Sequence, residues 1–189
     1  MVMHLPARAN TMVPPSETPL PYKIAVLCYL HDTEGRTLLL HRAKPPNKDL
    51  YSPVGGKLEF DLGEDPWACA RREIHEETGL ELEPEHLRMC GMVSETAYEA
   101  EGHWLIFLFQ VTRPVEHHEL KFTEFDEGTL EWIEPDSIMD LTIPETDRQV
   151  IWPMLEKHRD GFFGVHIDCR NDPFTWTVTQ TDPASQLSD

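Results

Sequence analysis

The sequence of 189 residues predicts a single domain of the α+β class. Several short apolar runs have the length and the β-branched or aromatic content of strands. Two longer segments carry helical start and stop signals or apolar residues at helical spacing. The hydrophobic fraction of 40% fits one globular core. Strands interleaved with two helices predict a mixed β-sheet sandwiched between α-helices.

The folded domain is predicted to span residues 22–178. Residues 1–21 are proline-rich and lack apolar periodicity, so we expect a flexible N-terminal extension. Residues 179–189 are expected to form a C-terminal tail. Within the domain, residues 22–31 and 36–42 are predicted strands around the turn sequence Asp32-Thr33-Glu34-Gly35, which indicates a β-hairpin.

The first helix is predicted over residues 66–78. Asp65 is a favourable N-cap, Pro66 suits the first helical position, and Gly79 suits a left-handed C-terminal cap. The later elements are expected to be strands at 87–96, 104–111 and 132–133, a second helix over 146–158, and a hairpin of 161–167 with 174–178. Pro153 should bend the second helix or produce a tighter turn there.

The formal net charge of −18 argues against non-specific binding to nucleic acid or to an anionic membrane. No apolar run reaches the roughly 18 residues of a transmembrane helix, and the N-terminus lacks the features of a signal peptide. The four cysteines are widely scattered, so reduced thiols in a cytoplasmic protein are expected. A small-molecule partner is therefore expected, and a homodimer is left open.

Three glutamates share one face of the first predicted helix. Glu73, Glu76 and Glu77 stand at i, i+3 and i+4, where like charges repel each other. Arg72 can neutralise one charge, and a hard divalent cation such as Mg²⁺ can hold the others. The alternative is a solvated surface helix without a bound ion.

The stretch from Gly55 to Leu80 resembles the signature of the Nudix hydrolases. Glu64, seven further residues, and then Arg72-Glu73-Ile74-His75-Glu76-Glu77-Thr78-Gly79-Leu80 match that signature at every specified position. Seven residues instead of five separate Gly56 from Glu64, which indicates a two-residue insertion near Asp61-Leu62. The resemblance implies the Nudix fold, whose order of elements extends the likeness to roughly residues 22–178.

The resemblance also implies a metal-dependent site. Glu73, Glu76 and Glu77, with the carbonyl of Gly55, would bind Mg²⁺ or Mn²⁺. Arg72 would orient these acids by pairing with Glu64 or Glu73. The general base would be Glu73 or an extra carboxylate from the loop before Trp132, for which Glu127 is the candidate and Glu95, Glu119 and Glu124 are rivals.

Substrate contacts are expected outside the signature. By resemblance Lys57 would lie near the phosphates, although it could equally be a surface lysine. Asp147, at the start of the second helix, is similar in position to the residue that reads the purine edge in hydrolases of oxidised purine nucleoside triphosphates. Trp152 and Phe162 would either stack on a base or belong to the core.

The leading hypothesis is a Mg²⁺-dependent hydrolase that converts a nucleoside triphosphate, such as 8-oxo-dGTP, to a monophosphate and pyrophosphate. The second hypothesis keeps the chemistry but takes a nucleoside diphosphate derivative, such as ADP-ribose or a dinucleoside polyphosphate. A third hypothesis is a sensor that binds a nucleotide without turnover. The intact set of helix glutamates favours an enzyme over the sensor.

Overall fold

The computed structural model describes residues 19–45 and 47–182. The predicted extension at 1–21 and tail at 179–189 therefore lie mostly outside the described residues. The described strands are β1 (Tyr22–Tyr29), β2 (Thr37–Arg42), β3 (Tyr51–Pro53), β4 (Leu87–Tyr98), β5 (Gly102–Val111), β6 (Glu124–Phe125), β7 (Gly128–Ile133), β8 (Phe162–Asp168) and β9 (Thr175–Asp182). The described α-helices are α1 (Pro66–Thr78) and α2 (Trp152–Lys157). This mixture confirms the α+β class.

The strands form two sheets. The larger sheet is mixed and has the order β1-β5-β4-β8-β9, with β1 parallel to β5 and β4 parallel to β8. The smaller sheet is antiparallel and has the order β3-β2-β7-β6. The predicted strand 132–133 is the end of the longer β7, and the predicted hairpin of β8 and β9 is confirmed. β9 continues to Asp182, beyond the predicted domain boundary at 178.

The predicted hairpin of β1 and β2 is wrong. The two strands lie in different sheets, and a single bridge between His31 and Thr37 joins the segments that flank their turn. β2 lies between β3 and β7, where Leu38, Leu39 and Leu40 are all fully buried. A continuous apolar run of this kind is typical of an interior strand that is covered on both faces. The turn sequence alone could not show that β2 pairs with β3 and β7 instead of β1.

Helix α1 has the predicted bounds. The Asp65 carboxylate accepts hydrogen bonds from the backbone N–H groups of Trp67 and Ala68, and Gly79 adopts φ 75° at the C-terminal end. Cys69, Ala70 and Ile74 are fully buried in one core that also includes Val26 and Leu40. Burial of this face fixes the orientation of α1, so its glutamate face turns towards the loops that follow β3.

The second helix begins differently from the prediction. Asp147–Ile151 form a π-helical turn, in which the Trp152 N–H donates to the Asp147 carbonyl, and α2 follows. A wider turn thus precedes Pro153, where a bend or a tighter turn was predicted. Proline cannot donate an N–H to the carbonyl four residues earlier, and a π turn changes the hydrogen-bonding partners at this position. The wider turn leaves Asp147 buried at the helix start.

No helix within the described residues is long and apolar enough to cross a membrane.

Candidate active site

A cavity of about 480 Å³ is lined by residues from both sheets, from the middle of α1 and from the start of the π turn before α2. The glycine turn after β3 and Glu73 of α1 form one part of its wall. Glu95 on β4 and Asp147 before α2 belong to another part. The cavity therefore brings together residues that are separated by more than half of the chain.

The two glycines of the turn allow close backbone approaches. Gly55 has φ 153°, and a Cβ atom there would lie 2.2 Å from the Val26 carbonyl oxygen. A Cβ atom on Gly56 would lie 2.3 Å from a carboxylate oxygen of Glu73. The Gly56 carbonyl also accepts a 2.9 Å hydrogen bond from the Val26 N–H, which attaches the turn to β1. A side chain at either position would therefore collide with β1 or with α1.

Gly56→Ala is expected to lower kcat by about tenfold or more, because the new methyl group would displace the Glu73 carboxylate. The helix itself should remain folded, since no core atom is removed. Steady-state kinetics beside circular dichroism would measure both effects. The comparison variant is Gly63→Ala, where a Cβ atom has no neighbour within 4 Å but the φ of 64° strains the backbone, so it shows the effect of backbone strain without displacement of Glu73. Equal activity of Gly56→Ala and wild type would contradict the assigned position of Glu73.

Arg72 connects the acidic residues of the site. Its guanidinium bonds the Glu64 carboxylate at 2.8 and 2.9 Å, Glu73 at 2.8 Å and Glu76 at 3.1 Å. It also donates to the Lys57 carbonyl at 3.1 Å. Arg72 thus pairs with both acids that were predicted as alternatives. The fork geometry fixes the carboxylate orientations more tightly than a single ammonium could.

The short 3₁₀ turn Phe60–Leu62 accommodates the two extra residues between Gly56 and Glu64. Phe60 and Leu62 are exposed there, and Gly63 adopts φ 64° as the chain turns back. The Glu64 carboxylate then accepts a 2.9 Å bond from the Glu59 N–H. The insertion therefore extends a surface turn and leaves the Glu64–Arg72 pair in place.

Glu77 is the most buried acid of the helix face, with a relative exposure of 4%. Burial raises the pKa of its carboxyl to about 8, against the lowering effect of the Gly55 N–H, which donates to it at 3.1 Å. The charges of Glu73 and Glu127 raise the pKa further. Burial also raises the pKa of Glu73, which Arg72 opposes. The buried Glu77 and the half-buried Glu73 thus lie close together without a full complement of positive charge.

Glu76 and Glu127 are more exposed members of the same cluster. The Glu76 side chain is about half exposed, and Glu127 bonds Arg42 at 3.3 Å. The negative charge of Glu127 acts on both Glu73 and Glu77, so the loop before β7 brings it to the helix face. Of the three rivals for this role, Glu119 and Glu124 lie outside the described cavity lining, and Glu119 pairs with Arg113. Glu95 does line the cavity.

The donor set fits a hard divalent cation. It offers carboxylate oxygens and the backbone of the glycine turn, and the repulsion among the acids would be relieved by a positive charge. Within residues 19–45 and 47–182, no three Asp, Glu, His or Cys side chains converge as a preformed metal site. Mg²⁺ usually takes only one or two protein carboxylates and completes its shell with waters and substrate phosphates. A site that is completed by the substrate matches this arrangement.

The predicted substrate residues separate into two groups. Lys57 and Asp147 line the cavity, whereas Trp152 and Phe162 are absent from its described lining. Trp152 packs edge-on against Tyr29, with ring centroids 5.2 Å apart, beside the second core cluster. Phe162 lies in β8, opposite Asp182 of β9. For Trp152 the structure supports the core alternative, because the apolar face of the second helix packs onto the larger sheet. Phe162 is half-buried and belongs to neither described core cluster.

Sequence reasoning missed several cavity residues. Trp104 lines the cavity, with the Nζ atoms of Lys23 and Lys57 at 4.9 and 5.9 Å from its ring centroid. Ser52 also lines it, and so does Glu95, which was predicted only as a possible extra carboxylate of the metal site. The period-2 alternation of β5 could have indicated that Trp104 and Ile106 share one face. Which face borders a cavity depends on the neighbouring strands and was not predictable from β5 alone.

Comparison with known proteins identifies one domain family and several solved structures with a similar fold. The model of the NUDIX domain matches residues 21–152. A mutator MutT protein from Bacillus halodurans superposes with a TM-score of 0.62 and 23% identity, over 85% of this chain and 96% of that chain. A MutT protein from Methanosarcina mazei gives 0.59 and 23%, over 76% and 96%. A bifunctional NMN adenylyltransferase/ADP ribose pyrophosphatase from Francisella tularensis, complexed with AMP and a Mn ion, gives 0.54 and 21%, over 73% and 42%.

Proposed function

Because the chain belongs to the NUDIX domain family, we propose that it is a Mg²⁺-dependent hydrolase of a nucleoside triphosphate. It would release the nucleoside monophosphate and pyrophosphate. The observation that carries this proposal is the buried Glu77 and the half-buried Glu73 beside the glycine turn, with Arg72 holding Glu73 and the neighbouring acids. A protein that only binds a nucleotide would gain nothing from keeping these repelling charges together.

Each residue of the cluster has a defined task in this proposal. The Gly55 N–H holds one Glu77 oxygen, and Arg72 holds Glu73 and Glu76, so that their remaining oxygens can bind the cation. A bound Mg²⁺ or Mn²⁺ would polarise phosphoryl oxygens and lower the pKa of bound water. Glu73 or Glu127 accepts the proton of the attacking water, which requires a carboxylate within hydrogen-bond reach.

The basic residues of the cavity suit the polyphosphate. Lys57 and Lys23 lie on the Trp104 ring, and Arg42 and Lys44 also line the cavity. These side chains offset part of the negative charge of the cavity lining, in a protein whose net charge of −18 would otherwise repel a triphosphate. Asp147 also lines the cavity, and its proposed role is to hydrogen-bond the base. An oxidised purine such as 8-oxo-guanine is our proposed base.

A substrate panel with Mg²⁺ and with EDTA tests the proposal. The panel contains the four deoxynucleoside triphosphates, 8-oxo-dGTP, ADP-ribose and a dinucleoside tetraphosphate, and chromatography resolves the products. We expect monophosphate and pyrophosphate from a triphosphate in Mg²⁺, and at least about a 100-fold lower rate in EDTA, because the cation supplies the charge stabilisation.

The other outcomes of the panel separate the alternatives. Cleavage of ADP-ribose or the tetraphosphate alone would replace the proposed substrate with a nucleoside diphosphate derivative. Nucleotide binding without turnover of any substrate would favour the sensor. Equal rates in Mg²⁺ and EDTA would contradict the metal dependence.

A further inference from the structure

Two acids lie together in the part of the cavity away from the helix glutamates. Glu95 on β4 and Asp147 at the start of the π turn have relative exposures of only 4% and 7%, yet both line the cavity. Each comes from a different element, and the charge of Glu95 acts on Asp147. Thr146 forms a side-chain hydrogen bond with Glu95. None of these groups has a task in phosphate hydrolysis.

An unpaired hydroxyl accompanies the two acids. Ser52 is 8% exposed and lines the same cavity, and its Oγ atom has no hydrogen-bond partner among the described residues. A buried hydroxyl without a partner costs free energy, so a group from outside the described residues must supply the missing bond, and a ligand in this cavity is one such group. This observation is independent of the acids and indicates binding at the same cavity.

The chemistry of these groups restricts the ligand. Ionised carboxylates only accept hydrogen bonds, whereas a protonated carboxyl also donates one. Burial raises the pKa of Glu95 to about 7 and that of Asp147 to about 8, so the pair retains protons near neutral pH. The pair then offers acceptors beside a donor. A heterocycle with an exocyclic amino group next to a ring nitrogen matches such an edge, whereas a carbonyl in place of the amino group would face an acceptor.

We propose that Glu95, together with Asp147, selects nucleobases that carry an exocyclic amino group over the corresponding bases that lack it. Glu95 is therefore a second specificity residue, beyond the single acid that resemblance to the family suggested. This inference rests on the proposed function, because it assumes that a nucleotide occupies the cavity. The guanine and 8-oxo-guanine bases belong to the selected class, and so does cytosine.

Matched nucleotide pairs test the selection directly. dGTP and dITP differ only in the 2-amino group, whereas dUTP has a 4-carbonyl and an N3–H where dCTP has a 4-amino group and a bare N3. We expect wild type to favour dGTP over dITP by about tenfold or more in kcat/KM, because loss of the amino group leaves a buried acid unpaired. In Glu95→Gln the ratio should fall to about one third of the wild-type value or less.

Glutamine is the informative substitution at position 95. Its amide oxygen can keep the bond to Thr146, which directs the NH₂ group towards the base and sets a donor against the amino group. The matched control is Glu85→Gln, which removes the same charge. Glu85 is exposed and lies outside the described cavity lining. The Glu85→Gln variant should keep the wild-type ratio. If Glu95→Gln fails to fold, Ser52→Ala is the second variant. We expect it to reduce the preference for dGTP over dITP.

Binding of the monophosphates separates this inference from the proposed function. Calorimetric titration with dGMP and dIMP requires no hydrolysis, and we expect dGMP to bind more tightly to wild type. If no triphosphate is hydrolysed but dGMP is still preferred, the proposed function fails and the selection by Glu95 stands. Equal affinities for dGMP and dIMP, or an unchanged preference in folded Glu95→Gln, would overturn the inference.

Discussion

Glu77→Gln is expected to lower kcat about 1,000-fold, equivalent to roughly 4 kcal/mol of transition-state stabilisation. Glu77 is buried and close to Glu73, so its carboxylate supplies negative charge where the cation is proposed to bind. Glutamine keeps an oxygen that can accept from the Gly55 N–H, but it loses the charge. The folded structure should survive, because the substitution also removes repulsion from Glu73 and Glu127.

Steady-state kinetics in Mg²⁺ and thermal melting in EDTA measure the two effects of Glu77→Gln separately. We expect the melting temperature without metal to equal or exceed that of wild type, because a poorly solvated acid has been neutralised. Glu85→Gln controls for the loss of one surface charge and should keep wild-type kinetics. Full activity of Glu77→Gln would show that the proposed metal ligands are wrong.

Arg72→Lys is expected to lower kcat about 100-fold, although the positive charge is preserved. The Arg72 guanidinium bonds both oxygens of Glu64 and also reaches Glu73 and Glu76. A lysine ammonium is a point charge without the planar fork, so it cannot hold all three carboxylates at once. The freed Glu73 and Glu76 should then bind the cation in poorer geometry, and the Mg²⁺ concentration for half-maximal rate should increase.

The matched control for Arg72→Lys is Arg113→Lys. Arg113 forms a comparable two-bond pair with Glu119, at 2.7 and 3.0 Å, outside the described cavity lining. The kcat of Arg113→Lys should stay within about twofold of wild type, since neither Arg113 nor Glu119 belongs to the described cavity lining. A similar loss of kcat in both variants would indicate that general destabilisation, rather than the orientation of Glu73 and Glu76, explains the effect.

The helix and its acidic face were predictable from the sequence because their causes are local. Asp65, Pro66 and Gly79 set the ends of α1, and the spacing of Glu73 and Glu77 places them on one face of any helix with these bounds. The short spacing from Glu64 to Arg72 likewise favours their contact. Membership of the NUDIX domain family follows from the same local pattern and agrees with the matched residues 21–152.

The sequence by itself therefore determined the class of fold, the bounds of helix α1 and the placement of its glutamates on one face. The tertiary structure decided which strands pair, so that β1 joins β5 rather than β2. It also decided that Trp104 and Glu95 border the cavity while Trp152 packs on the core. Helical caps and spacing depend on neighbours within a few residues, whereas strand pairing and cavity lining depend on contacts between residues far apart in the chain.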